Sequence, residues 1–253
     1  MSLYHTIARL LLQSDRVLFI TGAGISADSG LPTYRGLGGL YEDAMTDDGY
    51  SIEEALSGSM MAQHPEISWK YLLQIERNCR GAEPNLAHQV IAELQRAIPE
   101  VVVYTQNVDG LHLAAGSRQV IAIHGDLHHL RCTRCRYRTQ VETYAGLADP
   151  PVCPRCFSNI RPDVVLFGEA LPESGIAALE NAFARPFDMV FSIGTSSLFP
   201  YIVQPVLWAK EEGTPTVEIN PRETSVSHIV DFQIRTGAAE AMGRIWHALL
   251  AEQ

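Results

Sequence analysis

Four short apolar runs constrain the fold more than any other feature of the sequence. They lie at residues 17–20, 101–104, 189–193 and 216–219, and each is followed by glycine or polar residues. Runs that are apolar throughout, rather than alternating with polar residues, are typical of parallel strands buried on both faces. Residues 164–167 and 231–234 are weaker strand candidates.

Helical periodicity fills most of the intervals between these runs, at residues 86–96, 176–183 and 240–250, and an amphipathic helix opens the chain. Alternation of strands and helices predicts an α/β fold with a doubly wound, Rossmann-like parallel sheet. Two stretches break the alternation. Residues 36–80 combine an acidic, glycine-rich opening with helical patterning, and residues 131–159 carry four of the five cysteines. They predict a smaller domain outside the sheet.

The charge and the apolar pattern exclude several classes of partner. The 253 residues include 19 Lys and Arg against 29 Asp and Glu, a formal net charge of −10. This charge argues against nucleic-acid binding by bulk electrostatics. No run of about 18 apolar residues predicts a membrane span, and no signal peptide is recognisable. We therefore expect a cytoplasmic protein without a membrane or nucleic-acid partner, and the oligomeric state stays open.

Two CxxC pairs with 17 residues between them predict a four-cysteine zinc site. Four thiolates complete a tetrahedron around Zn²⁺ and leave no position for water, so the ion would be structural. The predicted ligands are Cys132, Cys135, Cys153 and Cys156. A redox role is the alternative for these cysteines, and His128 or His129 is an alternative ligand. Cys79 has no partner in sequence and is expected to be a buried small hydrophobe.

The turn after the first strand reads GAGISA at residues 22–27, which fits GxGxxA. Such a turn lets a pyrophosphate approach the backbone, although it is also compatible with a plain glycine turn. The usual dinucleotide-binding continuation is missing. Glycines and a proline at residues 30–39 prevent a long crossover helix, and no strand ending in an acidic residue follows at the expected distance.

Polar residues follow the other apolar runs. TQNVD at 105–109, GTS at 194–196 and NPR at 220–222 would meet at the carboxyl edge of a parallel sheet, where such sheets bind ligands. These residues predict one cleft for a polyol or phosphate ligand, with loop capping as the alternative for residues 105–109. His124 ends a further apolar run and is either a general base or a structural residue.

Taken together, these segments resemble the sirtuin family, the NAD-dependent protein-lysine deacylases, and in particular its short bacterial-type members. The resemblance is carried, in the family's order, by GAGISADSGLPTYR at 22–35, TQNVDGLH at 105–112, HG at 124–125, the two CxxC pairs, FGE at 167–169, GTS at 194–196 and INP at 219–221. It covers nearly the whole chain. In this family the first turn leads into a cofactor-binding loop, which accounts for the missing crossover helix.

The resemblance also implies roles for individual residues. The catalytic residues would be His124 as the base, with Asn107 and Asp109. The residues that bind NAD would be Gly22, Ala23, Gly24, Asp28, Tyr34, Arg35, Gln106, Asn107, Asp109, Gly194, Thr195, Ser196, Asn220, Pro221, Arg222 and Ala238. The residues that flank the acyl-lysine peptide would be Val165, Phe167, Gly168 and Glu169. Zn²⁺ would hold the small domain without touching the substrate.

The reaction implied by the resemblance removes an acyl group from a protein lysine and yields nicotinamide and O-acyl-ADP-ribose. The large NAD-binding domain would comprise residues 1–35, 85–128 and 160–253. The small domain would comprise a helical part at 36–84 and a zinc-binding part at 129–159. A protein ADP-ribosyltransferase or NAD glycohydrolase using the same cleft is the alternative function, and a zinc-ribbon module that binds nucleic acid or protein is a third.

The expected acyl group is acetyl or a longer apolar group. Family members that prefer succinyl or malonyl groups carry a small residue before the glycine pair and a Tyr-x-x-Arg motif. Leu37 occupies the first place here, and we assign the motif's positions to Tyr71 and Gln74. Without the arginine, a buried acyl carboxylate has no bidentate partner, which predicts poor desuccinylation.

Overall fold

The computed structural model describes residues 2–33 and 45–252, and two sheets organise them. The strands in chain order are β1 (Arg16–Thr21), β2 (Glu100–Thr105), β3 (Val120–Ala122), β4 (Gly125–Cys132), β5 (Arg138–Gln140), β6 (Ile160–Val164), β7 (Met189–Ile193), β8 (Thr216–Ile219) and β9 (Phe232–Ile234). Six of them form a parallel sheet in the order β3-β2-β1-β7-β8-β9, and the remaining three form an antiparallel sheet in the order β5-β4-β6.

The helices cover both faces of the large sheet and build the second module. They are α1 (Leu3–Leu12), α2 (Ile52–Ala55), α3 (Gly58–Gln63), α4 (Pro65–Cys79), α5 (Leu86–Ala97), α6 (Leu111–Ala114), α7 (Glu173–Ala182), α8 (Pro200–Glu211) and α9 (Ala238–Glu252), and a 3₁₀ helix spans Ala23–Ser29. No helix in the described ranges is long and apolar enough to cross a bilayer.

Strand β1 shows why the apolar runs become central strands. All six of its residues are buried, because the strand pairs with β2 on one side and β7 on the other and is covered on both faces. Val17 and Phe19 face the layer of α1, α5 and α9, and Leu18 and Ile20 face the layer of α7 and α8. The prediction of a doubly wound parallel sheet is confirmed.

The strand order reverses at β1, and this reversal fixes where a ligand can bind. The chain winds from β1 through β2 to β3 in one direction, and from β7 through β8 to β9 in the other. A crevice therefore opens at the carboxyl ends of β1 and β7, the topological switch point of such sheets. The 3₁₀ helix enters this region directly after β1, in place of a long crossover helix.

The second module has its own core. Trp69 and Leu72 of α4 pack against Leu130 of β4 and Ile160 of β6. The indole Nε1 of Trp69 donates to the carbonyl oxygen of Ile160 at 2.9 Å, so the helices are fixed to the small sheet. The predicted domain boundary at 128/129 falls within β4, and the boundary at 159/160 falls directly before β6 of the same small sheet. The division into domains therefore stays a prediction.

The weaker strand candidates have different outcomes. Residues 231–234 become β9 at the edge of the large sheet. Residues 164–167 do not form a strand of that sheet. Strand β6 ends at Val164 and pairs antiparallel with β4, and Phe167 instead makes a single bridge to Ser57. The apolar side chains of Val164, Leu166 and Phe167 pack in the core of the second module and not in the parallel sheet.

Because two histidines are buried, we expect the free energy of unfolding to fall in acid. His88 and His112 pack edge to face with their ring centroids 4.9 Å apart, and burial lowers their pKa values from about 6.5 to about 4 and about 3. The unfolded chain therefore binds protons at a higher pH than the native state does. The free energy of unfolding should fall from pH 6.5 towards pH 4, with His88 alone contributing roughly 2 kcal/mol at pH 5.

Urea denaturation of wild type and His88→Leu at pH 7.5 and pH 5 measures this effect. The variant should lose less stability between the two pH values than wild type does. Zinc ligation also weakens in acid, but it does so equally in both proteins. The contribution of His88 is therefore the difference between the stability that wild type loses and the stability that the variant loses. An identical loss in both would contradict the expected contribution of His88.

Candidate active site

One cavity of about 750 Å³ lies at the carboxyl ends of the parallel strands and reaches the second module. Glycine turns and amide side chains line one end, and aliphatic and aromatic side chains line the other. The predicted site residues that line it are Gly22, Ala23, Gly24, Asp28, Gln106, Asn107, His124, Val165, Phe167, Gly168, Glu169, Gly194, Thr195, Ser196, Asn220, Pro221 and Arg222.

Of the predicted catalytic, NAD-binding and peptide-binding residues that the structure describes, two are not in this lining. Asp109 lines a small adjoining pocket that it shares with Ala23 and Asn107. Ala238 is buried, while its neighbour Gly237 reaches the main cavity. Tyr34 and Arg35 lie outside the described residues, as does Leu37.

Two glycine turns meet at the switch point with their backbones in contact. The Gly24 N–H donates to the carbonyl oxygen of Gly194 at 2.8 Å, and a Cβ on Gly24 would lie 2.6 Å from the Gly194 Cα. Gly194 has a φ of +60°, and a Cβ there would lie 2.3 Å from the backbone nitrogen of Ile25. Glycine is therefore required at both positions, because no other residue lets the turns approach so closely.

A hydrogen-bond chain connects the turn after β2 with the 3₁₀ helix. Asn107 Nδ2 donates to Ser26 Oγ at 3.2 Å, and Ser26 Oγ donates to Asp109 Oδ2 at 2.8 Å. Asn107 also donates to the carbonyl oxygen of Gly22. Burial raises the pKa of the Asp109 carboxyl, against the hydrogen bonds from the Leu111 amide and Ser26. The role of Ser26 was not predicted, although its hydroxyl orients both Asn107 and Asp109.

Further hydrogen bonds fix the polar end of the cavity. Gln106 Nε2 donates to Thr195 Oγ1 at 2.8 Å, and Asn220 Nδ2 donates to the Thr195 carbonyl oxygen at 3.0 Å. The turns that follow β2, β7 and β8 are thus tied to one another. Asp28 accepts from the Ala239 amide at 3.0 Å, which places a carboxylate at the positive N-terminal end of α9.

The contacts of His124 define its tautomer. Its Nδ1 lies 3.0 Å from the carbonyl oxygen of Gln106, which can only accept, so Nδ1 carries the proton in the neutral ring. Nε2 is then the nitrogen with the lone pair. Burial lowers the pKa of His124, against the hydrogen bond to Gln106, which favours the charged form. A neutral imidazole with a defined lone pair meets the requirement for a general base.

The apolar end of the cavity was not predicted. Its lining residues come from elements that are distant in sequence, and they include Leu56, Leu72, Ile75, Leu127, Leu171, Phe199 and Tyr201. Leu72 and Ile75 are one turn apart on α4, so the helical periodicity of residues 69–75 was the available signal. Nothing in the sequence indicated which face of this helix would meet the cavity.

The two residues assigned to the Tyr-x-x-Arg motif lie away from the cavity. Tyr71 does not line the cavity; its hydroxyl donates to Asp48 Oδ2 at 2.6 Å. Gln74 is exposed to solvent. The pair with the same spacing that does line the cavity is Leu72 and Ile75, and both are apolar. The conclusion that no arginine stands at this spacing still holds.

The predicted peptide-binding segment forms a rigid rim. Arg161, which is buried, contacts both carboxylate oxygens of Glu169 at 2.5 and 2.9 Å, and the Leu166 amide donates to the same carboxylate. At the other end of the segment, the Val165 amide donates to the His124 carbonyl oxygen at 2.9 Å. Glu169 therefore shapes the rim through its ion pair with Arg161.

The four predicted zinc ligands come together. Their sulfur atoms lie within 4.8 Å of one another, with Cys132 and Cys156 3.4 Å apart and Cys135 and Cys153 3.6 Å apart. These separations are too long for disulfides and are close to the edges of a tetrahedron of Zn–S bonds. Backbone amides of Arg134 and Cys135 donate to Cys132 Sγ, which favours the thiolate. The residues fit a structural Zn²⁺.

The alternative ligands and the fifth cysteine lie elsewhere. The Nδ1 atoms of His128 and His129 face Asp126 Oδ1 at 3.3 and 3.5 Å, and neither histidine belongs to the cysteine cluster. Cys79 is partly buried against the core of the second module, and burial raises the pKa of its thiol to about 12. Cys79 is therefore protonated and unreactive, as expected of a small hydrophobe.

Comparison with known proteins decides the family. The family model described as Sir2 family matches residues 22–200, which include both glycine turns, His124 and the four cysteines. The chain belongs to the Sir2 family. The curated relatives include two that are named NAD-dependent protein deacylase 2. The Pseudomonas syringae pv. tomato protein is 47% identical over 94% of this chain and 97% of its own length. The Pseudomonas aeruginosa protein is 45% identical over 95% and 94%.

Solved Sir2 structures share the whole fold. The crystal structure of a Sir2 homologue in complex with NAD covers 100% of this chain and 96% of its own, with 36% identity and a TM-score of 0.89. A Sir2 variant bound to a deacetylated p53 peptide and 3′-O-acetyl ADP-ribose covers 96% of both chains, with 29% identity and a TM-score of 0.85. The prediction of the fold and of the family is confirmed.

The contact between the glycine turns predicts a position-specific effect of alanine. Gly194→Ala should lower the melting temperature markedly, because the new Cβ meets the backbone of the other turn. Gly213→Ala is the matched control: its φ is +73°, but no atom lies within 4 Å of the new Cβ. The control should cost about 1 kcal/mol from backbone strain, and Gly194→Ala at least about twice as much. Equal losses in calorimetry would contradict the tight packing.

Proposed function

We propose that this Sir2-family chain is an NAD-dependent protein-lysine deacylase that prefers acetyl or larger uncharged acyl groups. The proposal rests mainly on one observation: polar strand-end turns and apolar side chains of the second module line the same cavity. His124, whose Nε2 carries the ring lone pair, lines the same cavity as the polar turns that follow β1, β2, β7 and β8 and as apolar side chains of the second module. The relatives named NAD-dependent protein deacylase support the same reaction.

The polar end has the donors and the close backbone that a dinucleotide needs. Gly22, Ala23 and Gly24 would lie along the phosphates, where an added Cβ on either glycine has no room. Gln106, Asn107 and Asp109 would hold the nicotinamide and its ribose. The adenosine side would be bound by Gly194, Thr195, Ser196, Asn220, Pro221 and Arg222, with Ala238 behind them and with Asp28, Tyr34 and Arg35 in the cofactor loop. Bound NAD supplies an electrophilic ribose carbon with nicotinamide as its leaving group.

His124 would act as the general base. Its Nδ1–H remains bonded to the Gln106 carbonyl oxygen, which holds the ring and places the lone pair on Nε2. Because burial lowers the pKa of this histidine, the neutral form dominates at physiological pH. Nε2 can then accept a proton from a substrate hydroxyl, and the hydrogen bond to Gln106 stabilises the imidazolium that results.

The rim would bind the peptide around the acyl-lysine. Val165, Phe167, Gly168 and Glu169 form a segment that is anchored at both ends, so an extended peptide can pair with it through backbone hydrogen bonds. The cysteine cluster lies on the small sheet that carries β6, the strand leading into this segment. Zn²⁺ would therefore maintain the rim without taking part in the chemistry.

The apolar end sets the expected acyl preference. Leu72, Ile75 and Leu127 offer no positive charge and no hydrogen-bond donor to an acyl carboxylate. A buried carboxylate without a partner is strongly disfavoured. Acetyl, or a longer hydrocarbon acyl group, can instead be buried against these side chains.

Replacement of His124 tests the catalytic assignment. His124→Ala should lower kcat for deacylation of an acetyl-lysine peptide by about 10²- to 10⁴-fold, because no other base takes the proton. Nicotinamide release and peptide mass are followed together. Activity at the wild-type level in the variant would remove His124 from the mechanism. Continued release of nicotinamide with unchanged peptide would favour the ADP-ribosyltransferase or NAD glycohydrolase alternative.

An introduced arginine tests the acyl preference. Wild type should deacylate succinyl-lysine peptide at least about 100-fold less efficiently than acetyl-lysine peptide, because the carboxylate lacks a partner. Ile75→Arg should raise the succinyl-to-acetyl ratio of kcat/KM by about tenfold or more. Gln74→Arg is the matched control, since it places the same charge on the exposed side of the helix. Equal ratios in the two variants would contradict the assigned lining.

A further inference from the structure

The side chain of Tyr201 contacts the proposed base directly. Its hydroxyl lies 2.8 Å from His124 Nε2, and the two rings meet edge to face with their centroids 5.9 Å apart. Among the residues that the structure describes, the Gln106 carbonyl oxygen contacts Nδ1 of His124 and the Tyr201 hydroxyl contacts Nε2, so both ring nitrogens have a partner. No pattern in the sequence predicted a role for Tyr201.

The direction of this hydrogen bond follows from its neighbours. Nδ1 of His124 donates to the Gln106 carbonyl oxygen, so Nε2 of the neutral ring is an acceptor and the Tyr201 hydroxyl is the donor. Burial raises the pKa of Tyr201 to about 12, so the phenol keeps its proton at neutral pH. The phenolic proton thus occupies the lone pair that a general base must use.

Tyr201 is fixed at its backbone, whereas its hydroxyl end lines the cavity. It lies in the first turn of α8, and its carbonyl oxygen accepts from the Tyr104 hydroxyl at 3.3 Å. Its ring stacks on Phe199 with an interplanar angle of 13° and a centroid distance of 5.4 Å. The cavity of about 750 Å³ leaves room for the hydroxyl to move away from Nε2.

We propose that Tyr201 is a positioning residue for His124 whose hydroxyl is exchanged for a substrate hydroxyl at Nε2. In the free enzyme, the phenol holds the imidazole with Nε2 turned towards the cavity. When the cavity fills, the hydrogen bond from the Tyr201 O–H to Nε2 breaks and one from the substrate O–H forms. His124 then takes the substrate proton, and Tyr201 keeps its own. The inference rests on the proposed function, because that function gives Nε2 a substrate proton to accept.

Within residues 2–33 and 45–252, Asp126, Asp109 and Tyr104 are bonded to partners other than the His124 ring. Asp126 lies two residues further along the chain and faces His128 and His129. Asp109 accepts from Ser26 and from the Leu111 amide. The Tyr104 phenol bonds to the main chain of Tyr201 rather than to the histidine. Tyr201 is therefore the ionisable side chain whose removal changes the surroundings of the imidazole most directly.

Titration of His124 in the absence of NAD tests the contact without using activity. In ¹⁵N-histidine NMR, assigned through the signal lost in His124→Ala, wild type should show the Nδ1–H tautomer. Tyr201→Phe should move the His124 titration to higher pH, because the neutral ring loses a donated hydrogen bond. Tyr104→Phe, which removes the neighbouring phenol, should leave it in place. An unchanged titration in Tyr201→Phe would overturn the proposal.

Kinetics test the exchange itself. In Tyr201→Phe, the acidic limb of kcat/KM should move to higher pH, and any loss of kcat on the plateau should stay below about 100-fold, because the phenol does not carry the substrate proton. A fall in plateau kcat of about 100-fold or more would contradict the exchange, because the phenol would then pass the proton itself. If wild type showed no deacylation but the NMR shift were present, the proposed function would fail and the positioning contact would stand.

Discussion

The contact between the turns after β1 and β7 is the constraint on which the rest of the site depends. The hydrogen bond of 2.8 Å from Gly24 to Gly194 brings two backbones together at the point where the strand order reverses. Because neither residue has a Cβ, the two turns can close the base of the cavity without a steric clash. The side chains after β2 and β8 are then fixed to this base through Thr195.

A second junction, at His124, connects the large sheet with the rim. The main chain of His124 binds Val165 of the rim, while the ring of His124 binds the main chain of Gln106 in the large sheet. One residue therefore connects the parallel sheet, through its side chain, with the small sheet and its cysteine cluster, through its backbone. A zinc ion held by this cluster would stabilise the module that carries the rim.

The sequence was informative where one local pattern determines the outcome. Apolar runs such as residues 17–20 are typical of buried parallel strands, and the spacing of the two CxxC pairs is typical of a four-cysteine zinc site. Sequence order also indicated the polar end of the cavity, because the carboxyl ends of parallel strands necessarily meet at one edge.

The apolar end and the contact to the base could not be predicted in this way. Adjacent residues on a helix point in directions about 100° apart, so the orientation of α4 decides whether Tyr71 or Leu72 faces the cavity. That orientation is fixed by Trp69 and its bond to Ile160, which is distant in sequence. Tyr201 likewise meets His124 only because α8 begins at the switch point, a contact across 77 residues of chain.

The proposed reaction transfers an acyl group from lysine to the ADP-ribose part of NAD within this cavity. Mass spectrometry of all products from one incubation with NAD and an acetyl-lysine peptide measures this transfer. We expect equal amounts of nicotinamide, free-lysine peptide and O-acetyl-ADP-ribose. Free ADP-ribose with intact acetyl peptide, or peptide that carries ADP-ribose, would contradict the proposed reaction.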